Sequence, residues 1–418
     1  MKNAISITKM LGNTKKLYEQ GQRFTHLGIG PMSRNLLRAS LELAKEKDFP
    51  LILIASRNQV DSYDLGGGYV CSFDQANFVN TTKAIADEIG FNGLCYFCRD
   101  HGGPWQRDKE RNDALPTDEA MEIAKKSYID DMVNGFDLLH IDPTKDPHCK
   151  GVVPLDVVLD RTIELIKHVE EVRKERNLPE MAYEVGTEET MGGLISSEAY
   201  EGFIQKLLVR LEELNLPKPL FIVGQTGTLT RLTTNVGQYD TKTAKNLSDI
   251  AKSYGLELKE HNGDYLNNRI LLEHPAIGLG AMNVAPEFGL VETEAYLDLC
   301  VIEDKFIAEE NRSNAKAVIA KYALSGQRWR KWMIGDNRTA PVEVIAQDTE
   351  LVQTITEMCG HYTLEEPEVK EAIAKLYANM KSLGLDPEFY VIKKIKDSID
   401  RYIYCFNLYG TTTRLINA

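Results

Sequence analysis

The stretch "LILIAS", Leu51–Ser56, decides the fold that we predict for this chain. It is an unbroken apolar run, and parallel strands that are buried on both faces have this composition. Working outward, the preceding segment "MSRNLLRASLELAKEK" carries leucines at helical spacing, and a shorter apolar strand, "THLGIG" at Thr25–Gly30, comes before it. A strand, a helix and a second strand in this order predict a parallel pair with a helical crossover.

The same alternation continues along the chain and gives eight strand–helix units. Eight such units predict a (β/α)8 TIM barrel, here over residues 1–305, followed by a helical extension over residues 306–418 that packs on the barrel. An open doubly wound sheet is the alternative, but "GIGPMS" after the first strand lacks the GxGxxG pattern. The six further strands are predicted at Leu94–Phe97, Phe136–Asp142, Met181–Glu188, Pro219–Gly227, Leu256–Tyr265 and Ala276–Gly289.

Composition and charge exclude several classes of protein. The chain has 418 residues and a net charge of −13, which disfavours nucleic acid and anionic membranes as partners. There is no apolar run near 18 residues and no signal-peptide core, so we expect a cytoplasmic protein without a membrane span. Seven cysteines do not form a disulfide framework and suit a reducing compartment.

Polar and ionisable side chains follow almost every predicted strand. Barrel enzymes place their active sites at the carboxyl ends of the strands, so these side chains should gather on one face. Three of the eight histidines are among them, which isolated polar loops would not explain. The residues are Asn58, Gln59, Asp100, His101, His140, Asp142, Glu184, Glu188, Gln225, His261, Asn262 and Asp264.

Imidazole and carboxylate groups in this set suit a divalent metal ion, with zinc the first choice. We predict His101 and His261 as ligands because they come from distant strands that face each other across a barrel. Glu188 is the third predicted ligand and also a catalytic candidate, and Glu184 is less favoured. His140 is left open as a ligand, a general acid or a group that supports a ligand.

The segment "RDHGGPW", Arg99–Trp105, places a carboxyl group next to a predicted ligand. Asp100 is the predicted proton-transfer residue, because a metal-assisted carbonyl reaction needs a carboxyl group near the reacting hydroxyl. Gly102 and Gly103 remove side-chain bulk so that backbone or substrate can approach. The predicted substrate-binding residues are Asn58, Gln59, Asp142, Gln225, Asn262 and Asp264.

Seven motifs occur in order along about three quarters of the chain. They are "SRNQV" (Ser56–Val60), "FVNTTKAIADEIGF" (Phe78–Phe91), "RDHGGPW", "LLHID" (Leu138–Asp142), "YEVGTEE" (Tyr183–Glu189), "HNGDY" (His261–Tyr265) and "EENRSNAKAVI" (Glu309–Ile319). On these motifs the chain resembles the family of the non-catalytic subunit of class II D-tagatose-1,6-bisphosphate aldolase, the GatZ/KbaZ-like family. Relatives of that family include ketose and ketohexuronate 4-epimerases that work alone.

The resemblance implies a class II aldolase barrel in which His101 binds zinc and Asp100 transfers a proton, with His261 at a second ligand position. Two features depart from it. Gln225 stands where class II aldolases have a further ligand histidine, and the loop "DSYDLGGGYVC", Asp61–Cys71, is longer than expected. The departures suggest an outlying branch with another substrate.

Two functions are therefore weighed. The first is a metal-dependent enzyme that acts on a ketose, ketose phosphate or keto-sugar acid by retro-aldol chemistry, either as an aldolase or as a 4-epimerase. The second is a structural subunit that stabilises a class II aldolase catalytic subunit. We also expect a homo-oligomer, and the possible phosphate-binding cations are Arg57, Arg269 and Arg312.

Overall fold

The computed structural model describes residues 3–186 and 196–418. Eight parallel strands close into a barrel in the order β1-β10-β9-β6-β5-β4-β3-β2, with His26 of the first strand paired with Ala281 of the last. The predicted (β/α)8 barrel is confirmed, and closure excludes an open sheet. The barrel strands are β1 His26–Ile29, β2 Leu51–Ser56, β3 Cys95–Gly102, β4 Leu138–Ile141, β5 Ala182–Gly186, β6 Phe221–Val223, β9 Glu257–Glu260 and β10 Ala281–Val284.

Helices surround this barrel, and several begin at the polar residues that cap helices in general. Ser33 accepts a hydrogen bond from the Leu36 N–H, and Asp74 accepts one from the Asn77 N–H. The helices of the barrel region are α1 Ile7–Glu19, α2 Arg34–Lys47, α3 Gln75–Ile89, α4 Asp108–Asn112, α5 Thr117–Val133, α6 Leu155–Glu175, α7 Ser197–Glu213, α8 Thr241–Ser253, α9 Asn268–Ile277 and α10 Pro286–Phe306.

The helices after Phe306 pack on the barrel helices. Helix α15 contacts both α2 and α10, and its apolar residues belong to the same hydrophobic core as the barrel. A smaller core forms around Trp329 within the extension. The placement of a domain boundary at residue 305 stays a prediction. The helices are α11 Ala315–Ser325, α12 Val342–Ile345, α13 Thr349–Cys359, α14 Pro367–Ser382, α15 Pro387–Cys405 and α16 Thr411–Asn417.

Two local features shape the carboxyl ends of the barrel strands. Strand β3 bulges against β4, because Arg99 pairs with Leu139 but Gly102 pairs with Ile141. A bulge re-aims the side chains of its strand, and this one contains Asp100 and His101. After β6, a short hairpin of β7 (Thr230–Arg231) and β8 (Thr234–Asn235) adds residues to the mouth of the barrel.

Within the residues described, no helix combines the length and apolar character needed to cross a bilayer.

Candidate active site

A cavity of about 290 Å³ opens at the carboxyl ends of the barrel strands. This is where barrels hold their active sites. The extension contributes Lys331, Trp332 and Tyr362 to its wall. Of the residues predicted from the sequence, those that line it are Asn58, Gln59, Asp100, His101, Gln225, His261, Asn262 and Asp264.

His101 and His261 meet in this cavity, as predicted. His101 Nε2 lies 3.2 Å from His261 Nδ1. The opposite nitrogen of each ring contacts a carboxylate, since His101 Nδ1 lies 2.7 Å from Asp142 and His261 Nε2 lies 2.8 Å from Glu184. Each carboxylate accepts a hydrogen bond from the ring nitrogen that it contacts, so it fixes the orientation of that ring. Ligand histidines in metal sites are oriented by carboxylates in the same way.

His140 completes a cluster of three imidazoles. One ring nitrogen from each of His101, His140 and His261 lies within 4.8 Å of the others. His140 Nδ1 accepts a hydrogen bond of 3.1 Å from the His101 backbone N–H, and Nε2 is buried with no hydrogen-bond partner among the described residues. Burial lowers the pKa of His140 to about 4, so the ring is neutral at pH 7.

A buried ion pair lies beneath the imidazoles. The Glu184 carboxylate contacts the Lys259 ammonium at 2.5 Å and His261 at 2.8 Å, and both partners of the ion pair are almost fully buried. Burial alone would raise the pKa of Glu184, but the Lys259 charge together with His140 and His261 outweighs it and holds that pKa well below its usual range. Glu184 therefore stays ionised and fixes the His261 ring.

Asp100 lies beside this cluster and is held by Asn283. The Asn283 amide donates a 2.8 Å hydrogen bond to Asp100 Oδ1, which lies 3.8 Å from His261 Nδ1. A side chain at Gly28 would collide with Asn283, so the glycine makes room for this amide. Burial opposes ionisation of Asp100, yet the nearby imidazoles lower its pKa, so the carboxylate is available as a proton acceptor.

The glycines after His101 allow backbone to approach backbone. Gly103 has a φ of +127°, and a Cβ at this position would lie 2.5 Å from the Asp142 carbonyl oxygen. His101 has a φ of +43°, a conformation that non-glycine residues seldom adopt outside functional or strained sites. Arg99 is buried below them and forms a two-pronged ion pair with Asp131 at 2.8 and 2.5 Å.

The other predicted site residues occupy different positions. Asp142 does not line the cavity. It is buried behind His101 and also accepts a bond from the Thr144 N–H, so it orients His101 rather than facing a substrate. Asp264 lines the cavity, but its Oδ1 accepts bonds from the backbone N–H groups of Ala285 and Glu287. Glu188 lies outside the described residues, and its predicted role stays a prediction.

Positive charge gathers at the mouth of the cavity. The lining contains four cationic side chains and three carboxyl groups. Arg111 pairs with Asp108 at 2.5 Å, whereas Arg231 and Lys331 have no ion-pair partner among the described residues. The cations are Arg111, Lys145, Arg231 and Lys331.

The cations that the sequence suggested for phosphate do not line this cavity. Arg57 is fully buried and pairs with Asp61 and Glu110. Arg269 lies along α9 and pairs with Glu273, while Arg312 holds the backbone at the end of α10.

Sequence reasoning missed Lys259 and did not single out Asn283. The signal for Lys259 is its charge within a strand of a parallel barrel, where both faces are covered. Asn283 stands within the final apolar strand segment, where a lone amide is unusual for the same reason.

The fold is shared with several solved structures. A "probable tagatose 6 phosphate kinase" from Sinorhizobium meliloti 1021 aligns with a TM-score of 0.75 at 19% identity, over 91% of this chain and all of that one. The fructuronate-tagaturonate epimerase UxaE from Cohnella laeviribosi aligns with a TM-score of 0.55 at 10% identity, over 92% of this chain and 82% of that one. At these identities the likeness concerns the fold alone, which is a (β/α)8 barrel.

The family follows from the sequence comparisons. The chain belongs to the D-tagatose-1,6-bisphosphate aldolase subunit GatZ/KbaZ-like family, whose model matches residues 11–204 and 219–402. It is 26% identical over 341 residues to the D-tagatose-1,6-bisphosphate aldolase subunit GatZ of Escherichia coli (strain K12). This alignment covers 76% of this chain and 78% of that protein. The resemblance inferred from the motifs is confirmed.

Proposed function

We propose that this protein is a metal-dependent carbohydrate enzyme that acts on an anionic ketose by retro-aldol chemistry. The observation that carries the proposal is the cluster of His101, His140 and His261, in which His101 and His261 line the cavity together with Asp100 and His140 lies buried behind them. The family and the solved structures of the same fold support a carbohydrate substrate.

The donor set fits a divalent ion such as Zn²⁺. His101 Nε2 and His261 Nδ1 lie 3.2 Å apart, so either a shared proton or a bound cation links the two rings. One ring nitrogen of His140 lies within 4.8 Å of the ring nitrogens of the other two histidines, so a third imidazole is within reach of the ion. When bound, the ion supplies Lewis acidity toward a carbonyl oxygen.

The protein's own residues then account for proton transfer. Asp100 accepts the proton of the C4 hydroxyl, and the electron pair of that O–H bond forms the new aldehyde carbonyl. The C3–C4 bond breaks, and its electron pair stays on C3 in conjugation with C2. Asn283 fixes the carboxylate of Asp100 through its amide, so the proton acceptor is in place before the substrate arrives.

The fate of the aldehyde separates two products from one site. If the aldehyde is released, the enzyme is an aldolase. If the aldehyde rotates and C3 then adds to its opposite face, the configuration at C4 is inverted and the enzyme is a 4-epimerase. An epimerase must retain the aldehyde, and Trp332 and Tyr362 of the extension supply cover over the cavity.

The cations at the mouth support an anionic substrate, which is a ketose phosphate or a keto-sugar acid. Arg231 lies on the hairpin after β6 and Lys331 lies on the extension, so both approach the cavity from its outer side. Because the whole chain carries a charge of −13, a cationic rim here is a local feature that favours an anionic end.

A structural subunit of a class II aldolase is the second candidate. It is supported by the word "subunit" in the names of the family and of the GatZ relatives. A partner that only stabilises another chain has no need for ionised Asp100 beside three imidazoles. Association with a class II aldolase catalytic subunit and self-association both stay predictions.

Product analysis tests the proposal. The purified chain with Zn²⁺, Mn²⁺ or Ni²⁺ is incubated with tagatose, fructose, their phosphates and tagaturonate, and aldehyde release and C4 inversion are followed separately. We expect turnover of an anionic ketose that Asp100→Asn abolishes, and a raised KM in Lys331→Ala. No turnover of any ketose, together with activation of an added class II aldolase catalytic subunit, would favour the structural role.

A further inference from the structure

A second cavity, of about 330 Å³, lies where the extension meets the barrel. Its volume falls within the roughly 300–1,000 Å³ that is usual for small-molecule sites. Met32 and Tyr69 line both cavities, so they form a shared wall between this one and the candidate active site. Most of its remaining lining comes from α2, α10 and the segment 361–377.

His361 is a buried side chain of this cavity whose hydrogen bonding is incomplete. It is 2% exposed, and neither ring nitrogen has a hydrogen-bond partner among the described residues. The ring is held in place by Tyr362 at a centroid distance of 4.0 Å and by the backbone of Gly289, where a Cβ would lie 2.6 Å from the ring. Burial, with the charges of Lys331 and Arg328, lowers the pKa of His361 to about 3, so the ring offers one N–H and one lone pair.

Glu292 is the second buried group with unused hydrogen-bonding capacity. Its Oε1 accepts bonds from the Asn35 amide and the Tyr296 hydroxyl, and a hydrogen bond from the Ser33 side chain also lowers its pKa against the larger effect of burial. Its Oε2 is buried without a hydrogen-bond partner in the part of the chain that the structure describes. An unsatisfied buried polar group costs about 1–3 kcal/mol, so a molecule in this cavity that reached Glu292 and His361 would gain by completing their hydrogen bonds.

The chemistry of the lining specifies that occupant. Lys370 pairs with Glu365 at 2.6 Å, and burial raises the pKa of Glu292 and so favours its uncharged form, so the lining favours a neutral molecule. A neutral imidazole and a carboxyl group together need both donors and acceptors, which hydroxyl groups supply. Apolar surface for the carbon skeleton comes from Tyr69, Tyr296 and Tyr377.

We propose that this cavity is a binding site for a small neutral polyhydroxyl compound, separate from the imidazole cluster. The compound donates a hydroxyl hydrogen to Glu292 Oε2 and exchanges hydrogen bonds with His361. The inference does not depend on the proposed function, because neither residue belongs to the imidazole cluster.

Calorimetric titration of the full chain with D-sorbitol, myo-inositol and D-fructose tests the site. The titration is run on the natural chain and on His101→Ala, which removes a predicted ligand of the first cavity. Ala374→Trp fills the second cavity from an exposed position on α14, and Ala378→Trp is the matched control one turn further along, outside the lining. We expect one molecule to bind per chain. Its affinity should be unchanged in His101→Ala and Ala378→Trp, and at least about tenfold lower in Ala374→Trp.

Several results would overturn the proposal. These are no binding of any of the three compounds, loss of binding in His101→Ala, and equal effects of the two tryptophan variants. A crystal structure grown with the bound compound that shows only water in the cavity would overturn it as well. Turnover of ketoses is a separate readout, so failure of this site and failure of the proposed function are distinguishable.

Discussion

The ion pair between Glu184 and Lys259 gives the sharpest prediction about stability. The two charges lie 2.5 Å apart inside the barrel, and their side chains are 0% and 4% exposed. Removing one partner of such a pair leaves a buried charge uncompensated, which costs about 3–5 kcal/mol. We therefore expect Glu184→Gln to lower the free energy of unfolding by about 3–5 kcal/mol, and Lys259→Met to lower it by a similar amount.

The double variant separates this mechanism from ordinary loss of packing. With both charges gone, no buried charge remains unpaired, and replacing a buried pair by neutral groups of similar volume is often close to neutral. The free energy of unfolding of the double variant should consequently fall by much less than the sum of the two single decreases, with a coupling free energy above about 2 kcal/mol.

Urea unfolding of the metal-free chain measures these free energies, with the slope m compared between variants to check that the unfolded states match. Chelator is present throughout, so that metal binding does not contribute to stability. Single variants that each lose under about 1 kcal/mol, or losses that simply add, would refute the reasoning.

Three further predictions concern the same region. Gly103→Ala should lower the free energy of unfolding, measured in urea, by about 1–3 kcal/mol, because the φ of +127° and the Asp142 carbonyl both oppose a side chain at this position. Asp142→Asn should weaken zinc binding about 10–100-fold in a competition titration, because it no longer orients His101, and an unchanged affinity would contradict this role. Burial raises the pKa of Asp264 to about 7, so the folded chain holds that proton to a higher pH than the unfolded chain, and stability is lost as pH rises from about 4 to 7. The free energy of unfolding of Asp264→Asn should then equal that of the natural chain near pH 4 and exceed it above pH 7 by at most about 4 kcal/mol. The same difference between the two chains at both pH values would disprove this.

Much of the fold could be predicted because parallel barrel strands are unbroken apolar runs. Leu51–Ser56 is the clearest of them, and it forms β2 over the same residues. The site could be predicted in outline for a related reason, since carboxyl ends of parallel strands share one face. That rule places His101 and His261 at the same end of the barrel although 160 positions of sequence separate them.

Other parts of the site depend on three-dimensional detail that the pattern does not contain. The bulge that turns Asp100 and His101 adds one residue to β3, and the pattern of apolar residues in the sequence does not reveal such an insertion. The "LELKE" segment alternates like a half-exposed strand, so the pairing of Lys259 with Glu184 follows only from the register of the closed barrel. The contribution of Tyr362 to the wall of the cavity depends on how the extension packs on the barrel.

Metal content tests the central claim most directly. The natural chain, purified without added metal and measured by elemental analysis, should carry one divalent ion per chain. His101→Ala and His261→Ala should each lose that ion, while Arg269→Ala, a surface variant on α9, should keep it. A natural chain without a stoichiometric ion after incubation with Zn²⁺, or an ion that persists in both histidine variants, would contradict the account.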